Sequence, residues 1–320
     1  MDTGKVDPLD LNILRETSRG RVMWWGSLDP RLSIREVGHR LRVDPTTIWN
    51  RLRAWQRTGF LLGYSVVPNP SLFGAKLAGG SVRISDSRAK ERFFRDFGLV
   101  EGAAFAVDQV GPWVVVMFAF ETERGLRRSV GLTRRLPGVV EMEPCIPFHN
   151  PPTTLTPSRL DWRILETLHA KPEEDLSECA RIVGISAKTF ARRYNSLIRD
   201  CAVWSIPRLD FTQYRGATVA RFLVWLAPQT DAQLVLQKLG RTFPSYILLE
   251  NQSGLPDVGS RSVSLLSLFL QMSSTGEVED ADRLIREVDG VVEVETYFPR
   301  RTYVYEDWSV ERLEKQTRPV

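Results

Sequence analysis

The sequence predicts an α+β chain written twice: a helical unit and a βαββαβ unit, then the same pair again. Three echoes carry this. "LDLNIL" at 9–14 returns as "LDWRIL" at 160–165. "IREVGHRLRVDPTTIWNRL" at 34–52 aligns without a gap with "LSECARIVGISAKTFARRY" at 176–194. "PGVVEME" at 137–143 returns as "DGVVEVE" at 289–295. The spacing runs 151, 142, then 152 residues. Copy one therefore carries nine extra residues, placed around Arg21–Asp29, and copy two gains ten, placed around Asn251–Ser260. Self-similarity at a fixed period marks a duplicated structural unit.

The front part of each copy reads as three helices. Leu9, Ile13 and Leu14 make an apolar stripe ending near Gly20, and Ile34, Val37 and Leu41 make a second. Asp44 is placed to cap a third helix with Pro45 at its favoured first position, and Gly59 to end it. Ile48, Leu52 and Trp55 line its inner side, and "FLLGYSVVP" reads as a short extended pair suited to a wing. Copy two repeats the grammar. Leu176, Cys179 and Val183 form the second stripe, Gly184 the turn and Ser186 the cap, with Phe190, Tyr194 and Leu197 on the inner side. Short helix, tight turn, capped helix and wing is the winged helix-turn-helix pattern.

The third helix then offers a polar outer face that fits a major groove. In copy one it carries Thr46, Thr47, Asn50 and Arg51, with Arg53 at the flank. In copy two it carries Lys188, Thr189, Arg192 and Arg193. Thr and Asn bond to base edges, and Arg forks onto guanine or holds phosphate.

Each back part reads strand, helix, strand, strand, helix, strand, the ferredoxin-like plan. The apolar runs at 113–120 and 265–270 predict sheets buried on both faces. Helices cover one face, so the two sheets are expected to bury their bare faces on each other. The expected domains are winged helix-turn-helix units at 1–74 and 154–216, ferredoxin-like units at 75–153 and 217–304, and a tail at 305–320. In that tail Trp308 and Leu313 are placed to touch the last domain.

The 320 residues carry a net charge of +4, and the first front part alone holds +4. The apolar runs fall short of the roughly 20 residues a membrane helix needs. The N-terminus reads as polar rather than secretory. Cys145, Cys179 and Cys201 read as buried thiols of a reducing, cytoplasmic compartment. With His39, His149 and His169 isolated in sequence, no metal, no cofactor and no catalytic site are expected.

Taken together, "LDLNIL", "VDPTTIWNRLRAWQRTGFLLGYSVVPNPSLFG" and "LDWRIL…GISAKTFARRYNSL" resemble the Lrp/AsnC family of transcription regulators, present here twice in one chain. The resemblance implies double-stranded DNA as partner, a RAM/AsnC-type sensing sheet, and a small amino-acid-like effector at the turn joining the second and third strands. Carried over, that turn is Asp108, Gly111 and Trp113 in copy one, and Asn251, Gly254 and Asp257 in copy two. It also implies an intrachain pseudo-dimer, further self-association and a regulator without enzymatic activity. A sirohaem-decarboxylase-like enzyme on the same architecture is the alternative. "GFLLGYS" lacks the cations such a pocket requires, and "AVWSIPR" offers only Arg208.

Overall fold

The computed structural model describes residues 9–10, 12–13, 33–143, 146–148, 153–214, 216–243, 246–252, 264–272 and 274–317. Gly20, the copy-one insertion with Trp24 and Trp25, Cys145, His149, Gly254 and Asp257 lie outside them.

Copy one begins with helix α1, described at Leu9, Asp10, Asn12 and Ile13. Helices α2 (Ile34–Leu41) and α3 (Pro45–Thr58) follow. Ser33 and Asp44 cap them by accepting the Glu36 and Thr46 amides. Strand β1 (Leu61–Pro68) leads through a 3-10 turn (Pro70–Phe73) into β2 (Lys76–Ile84). Helix α4 (Ser87–Phe97), strands β3 (Ala103–Gln109) and β4 (Trp113–Phe120), helix α5 (Glu123–Thr133), and strands β5 (Val139–Met142) and β6 (Ile146–Phe148) complete it.

Copy two repeats this with α6 (Arg159–Ala170), α7 (Leu176–Val183), α8 (Ala187–Arg199), β7 (Val203–Leu209) and β8 (Thr218–Leu226). Then come α9 (Ala232–Thr242), β9 (Tyr246–Gln252), β10 (Ser264–Met272), α10 (Thr275–Arg286) and β11 (Val291–Tyr297). Strand β12 (Pro299–Val304) and helix α11 (Asp307–Thr317) close the chain.

The back parts are ferredoxin-like, with matching strand orders β5-β2-β4-β3 and β11-β8-β10-β9. Strand alternation divides each sheet's side chains between two cores. Val82, Val116 and Phe118 pack under α4 and α5, while Leu77, Phe105, Val107 and Met117 point the other way. There they join Val219 and Phe269 of the second sheet, so the bare faces do bury each other.

Three connections depart from the sequence reading. The wing is no hairpin within its own copy: β1 pairs antiparallel with β7, its counterpart. Tyr64 faces Pro207 and Ser65 faces Ile206. Those pairs exchange under the repeat, which places a local two-fold axis between them. Strand β12 leaves its own sheet and lines the β3 edge of the first. Helix α11 packs on the second head: Leu313 enters the core of α6, α7 and α8, and Trp308 meets Phe73 edge-on at 5.7 Å. In the first two cases a strand edge is covered by the other copy, and in the third the tail covers an apolar stripe of the second head instead of the last domain.

Two backbone positions show how the copies tolerate different residues. After the second helix, copy one places Arg42 at φ 56° where copy two has Gly184 at φ 76°. After the third, copy one has Gly59 at φ 76° and copy two Cys201 at φ 53°. The left-handed turn is kept in all four, so β7 starts in the same register as β1. The non-glycine residues bear a conformational cost of about 1 kcal/mol each.

Candidate nucleic-acid interface and sensing turns

The doublet is explained by its glycines. Gly138 and Gly290 have φ of +86° and +89°. A Cβ on either would stand 2.4 Å from the Ala89 Cβ or the Thr230 Cγ2. Each repeat thus needs glycine twice over, for the turn and for the close approach of the last strand to the start of the first sheet-covering helix.

On the heads, Thr46, Asn50 and Arg53 of α3 are exposed, as are Lys188 and Arg192 of α8. Thr47 and Thr189 are half-buried. The Arg53 guanidinium lies over the exposed Trp49 ring at 4.7 Å. Arg51 and Arg193 have a partner inside their own head instead. Arg51 donates to Asp10 at 3.0 Å, and Trp55 Nε1 donates to the same carboxylate at 3.1 Å. Arg193 approaches Asp161 at 3.4 Å. Asp10 and Asp161 are 1% and 4% exposed. The repeated "LD" and the repeated Arg are thus two ends of one clamp, first helix to third. The sequence showed both ends without showing that they meet.

The copy-one turn expected to take an effector is already filled by the chain's own Lys90. Lys90 of α4, itself buried, donates its ammonium to Asp108 at 2.5 Å and to the carbonyls of Gln109 and Gly111 at 2.7 Å each. Arg300, from the end of copy two, adds a second cation to Asp108 at 3.4 Å. Burial holds the Lys90 ammonium below the ordinary lysine value, against the pull of Asp108. Gly111 makes the turn at φ +84°, and Trp113 starts β4 on the opposite sheet face from Asp108. Asp108 and Trp113 therefore do not line one pocket. Asn251 pairs with Leu265 in the β9–β10 ladder. Lys90 escaped the sequence reading because it sits inside the apolar stripe of Phe93, Phe94 and Phe97. Lys90→Met leaves Asp108 buried beside Arg300 alone, and should cost about 3 kcal/mol in a denaturant melt.

A polar cluster between the sheets was also missed. Arg221 is buried in β8, donates to Ser267 at 2.9 Å, and is pushed down by burial to about 10. Glu143 and Glu295, equivalent acids of the doublet, flank it electrostatically. Burial first, then Glu295 and Glu141, raise the Glu143 carboxyl above its ordinary value, while Ser81 and Arg221 oppose the shift. A carboxyl raised by folding contributes stability that is full below its unfolded value of 4.5 and is lost as pH climbs through the folded one. Glu143→Gln should therefore raise Tm at neutral pH, with the gain shrinking toward pH 4. A variant whose Tm gap to the parent is flat with pH would refute this.

No protein-family model and no curated protein matches the sequence. Solved structures do. The siroheme decarboxylase NirDL matches 97% of this chain with 98% of its own, at TM-score 0.51 and 12% identity. Its complex with an iron-uroporphyrin III analogue matches equally at TM-score 0.50. AsnC-family regulators match about half the chain: E. coli AsnC covers 48% of it, at TM-score 0.28 and 18% identity. The fold of the whole chain, winged helix-turn-helix and ferredoxin-like units in tandem, is thus one on which a solved enzyme is built. That finding overturns the expectation that the chain is no enzyme. Among the described residues, no helix is long and apolar enough to cross a membrane.

Proposed function

We propose that the chain binds duplex DNA through α3 and α8, carried by the paired wings as the two heads of an intrachain pseudo-dimer. The supporting observation is the shared disposition of these helices: each buries its apolar side in a head and turns polar side chains to solvent, with Arg53 exposed on α3 and Lys188 and Arg192 exposed on α8. Residues 33–58 hold six arginines against two acids, and residues 176–200 hold five cations against two acids. Thr46, Asn50 and Arg53, with Lys188 and Arg192, are the contacting side chains; Thr47 and Thr189 border them. Arg51 and Arg193 act by holding the helices in place. The heads present different residues, so the preferred site is two unlike half-sites about one helical turn apart or a multiple of it. Linking two modest contacts on one chain raises overall affinity.

Mobility shift with genomic fragments across a salt series tests this. Arg53→Ala and Arg192→Ala should each weaken binding about tenfold and flatten the salt dependence. Arg51→Ala should leave the salt slope as it was. No retarded fragment at low salt sinks the proposal, and unchanged affinity in both Arg53→Ala and Arg192→Ala removes the assigned contacts.

The full-length likeness to NirDL supports a second reading, an enzyme that decarboxylates a tetrapyrrole. Arg208, the one wing cation, is exposed beside Glu173 across Gly63. Incubation with sirohaem should then perturb its absorption spectrum at stoichiometric protein and release CO2. An unchanged spectrum discards this reading and leaves the DNA proposal untouched.

A further inference from the structure

We propose that Trp49 reads the 5-methyl group of a pyrimidine in the half-site taken by the first head. The inference rests on the duplex-DNA reading of α3 and adds the base feature that this helix selects. Thr46, Trp49, Asn50 and Arg53 stand at i, i+3, i+4 and i+7 of α3, so they share one helix face. All four are exposed. Three are polar, and the fourth is an indole that is 44% exposed.

The phase of the helix sets that exposure. Ile48, Leu52 and Trp55 form the inward stripe, and Trp49 lies outside it. A lone apolar side chain on a surface needs no explanation by itself. The setting of Trp49 is what distinguishes it. The Arg53 guanidinium, about one turn further along, lies over its ring at 4.7 Å. That contact orders the indole on the face offered to a groove. Among the described residues Arg53 has no carboxylate partner, whereas Arg51 is held by Asp10. Arg53 therefore keeps its charge for a phosphate while its guanidinium positions the indole.

An apolar ring on such a face has one match in the major groove. Base edges there present hydrogen-bond donors and acceptors, and the apolar feature among them is the 5-methyl of thymine. 5-Methylcytosine carries the same group at the same place. The repeat isolates the feature. At a spacing of 142 residues, Thr46, Trp49, Asn50 and Arg53 correspond to Lys188, Ala191, Arg192 and Asn195 of α8. The second head lacks both the indole and the cation over it, so methyl reading belongs to one half-site alone.

The test starts from a duplex recovered with the full chain from a random pool. Each of its thymines is replaced by deoxyuridine, which removes the methyl and keeps the pairing edge, and each cytosine by 5-methylcytosine. One position in one half-site should respond to the methyl by about fourfold in affinity, the worth of one buried methyl. A loss on deoxyuridine names thymine as the base read, and a gain on methylation names 5-methylcytosine. Trp49→Ala should erase the response in a chain of parental thermal stability. The base replacement needs no variant, so it decides the matter even where Trp49→Ala perturbs the head. A bound duplex indifferent to every methyl, a response that survives Trp49→Ala, or tighter binding of the single strand than of the duplex would overturn the proposal. The first two outcomes leave the DNA reading of the heads standing. Failure to recover any duplex at low salt sinks that reading and this inference together.

Discussion

Asp10→Ala is expected to lower the unfolding free energy of the first head by about 3 kcal/mol. The carboxylate is 1% exposed and accepts from Arg51 and from Trp55 Nε1. Removing it takes this acceptor from two donors, the buried Trp55 indole and a guanidinium that is only partly exposed. Breaking one side of such a pair costs far more than removing both. Asp10→Ala/Arg51→Met should therefore recover a substantial part of the loss, which a double-mutant cycle would read. The copy-two counterpart adds a second test. Asp161 also accepts from the Ser158 amide at 2.9 Å, closing a capping box at the start of α6. Asp161→Ala should fray that helix as well as release Arg193. If Asp10→Ala costs under about 1 kcal/mol by urea unfolding, the clamp does not hold the head.

Gly290→Ala and Gly138→Ala should each cost on the order of 3 kcal/mol. Two effects add: the positive φ, worth about 1–2 kcal/mol for an L side chain, and overpacking against Thr230 or Ala89, worth about 1–3 kcal/mol. Gly111 separates them. Its φ is +84°, yet a Cβ there meets nothing within 4 Å. Gly111→Ala should therefore show the conformational part alone, about 1–2 kcal/mol. Equal losses at Gly111 and Gly290 would show that close approach contributes nothing. Thermal unfolding of the three variants under one condition decides it.

These two predictions mark what a reader of the sequence could and could not see. The glycines of the doublet were visible as a repeat, because a turn that admits only glycine leaves the same letter in both copies. The caps at Asp44 and Ser186 and the apolar stripes were visible too, because they depend on neighbours within a few positions. Arg51 and Arg193 were visible as a matched pair but read as outward-facing. A half-buried residue on a helix flank has the same periodicity whether its head reaches solvent or a carboxylate from another helix. Lys90 and Arg221 were hidden in apolar runs, since a hydrophobic pattern does not register one buried cation whose partners are distant in sequence.

By itself, the sequence determined the two copies, the order and type of their elements, and the faces that must be buried, since helix and strand periods are set by local backbone geometry. Only the tertiary structure decided who covers whom: β1 with β7, β12 on the first sheet, α11 on the second head, Lys90 in the β3–β4 turn. Two copies of one fold offer each edge and stripe two partners of similar chemistry. Burial rewards either one alike, so linker reach and the packing of the whole chain make the choice.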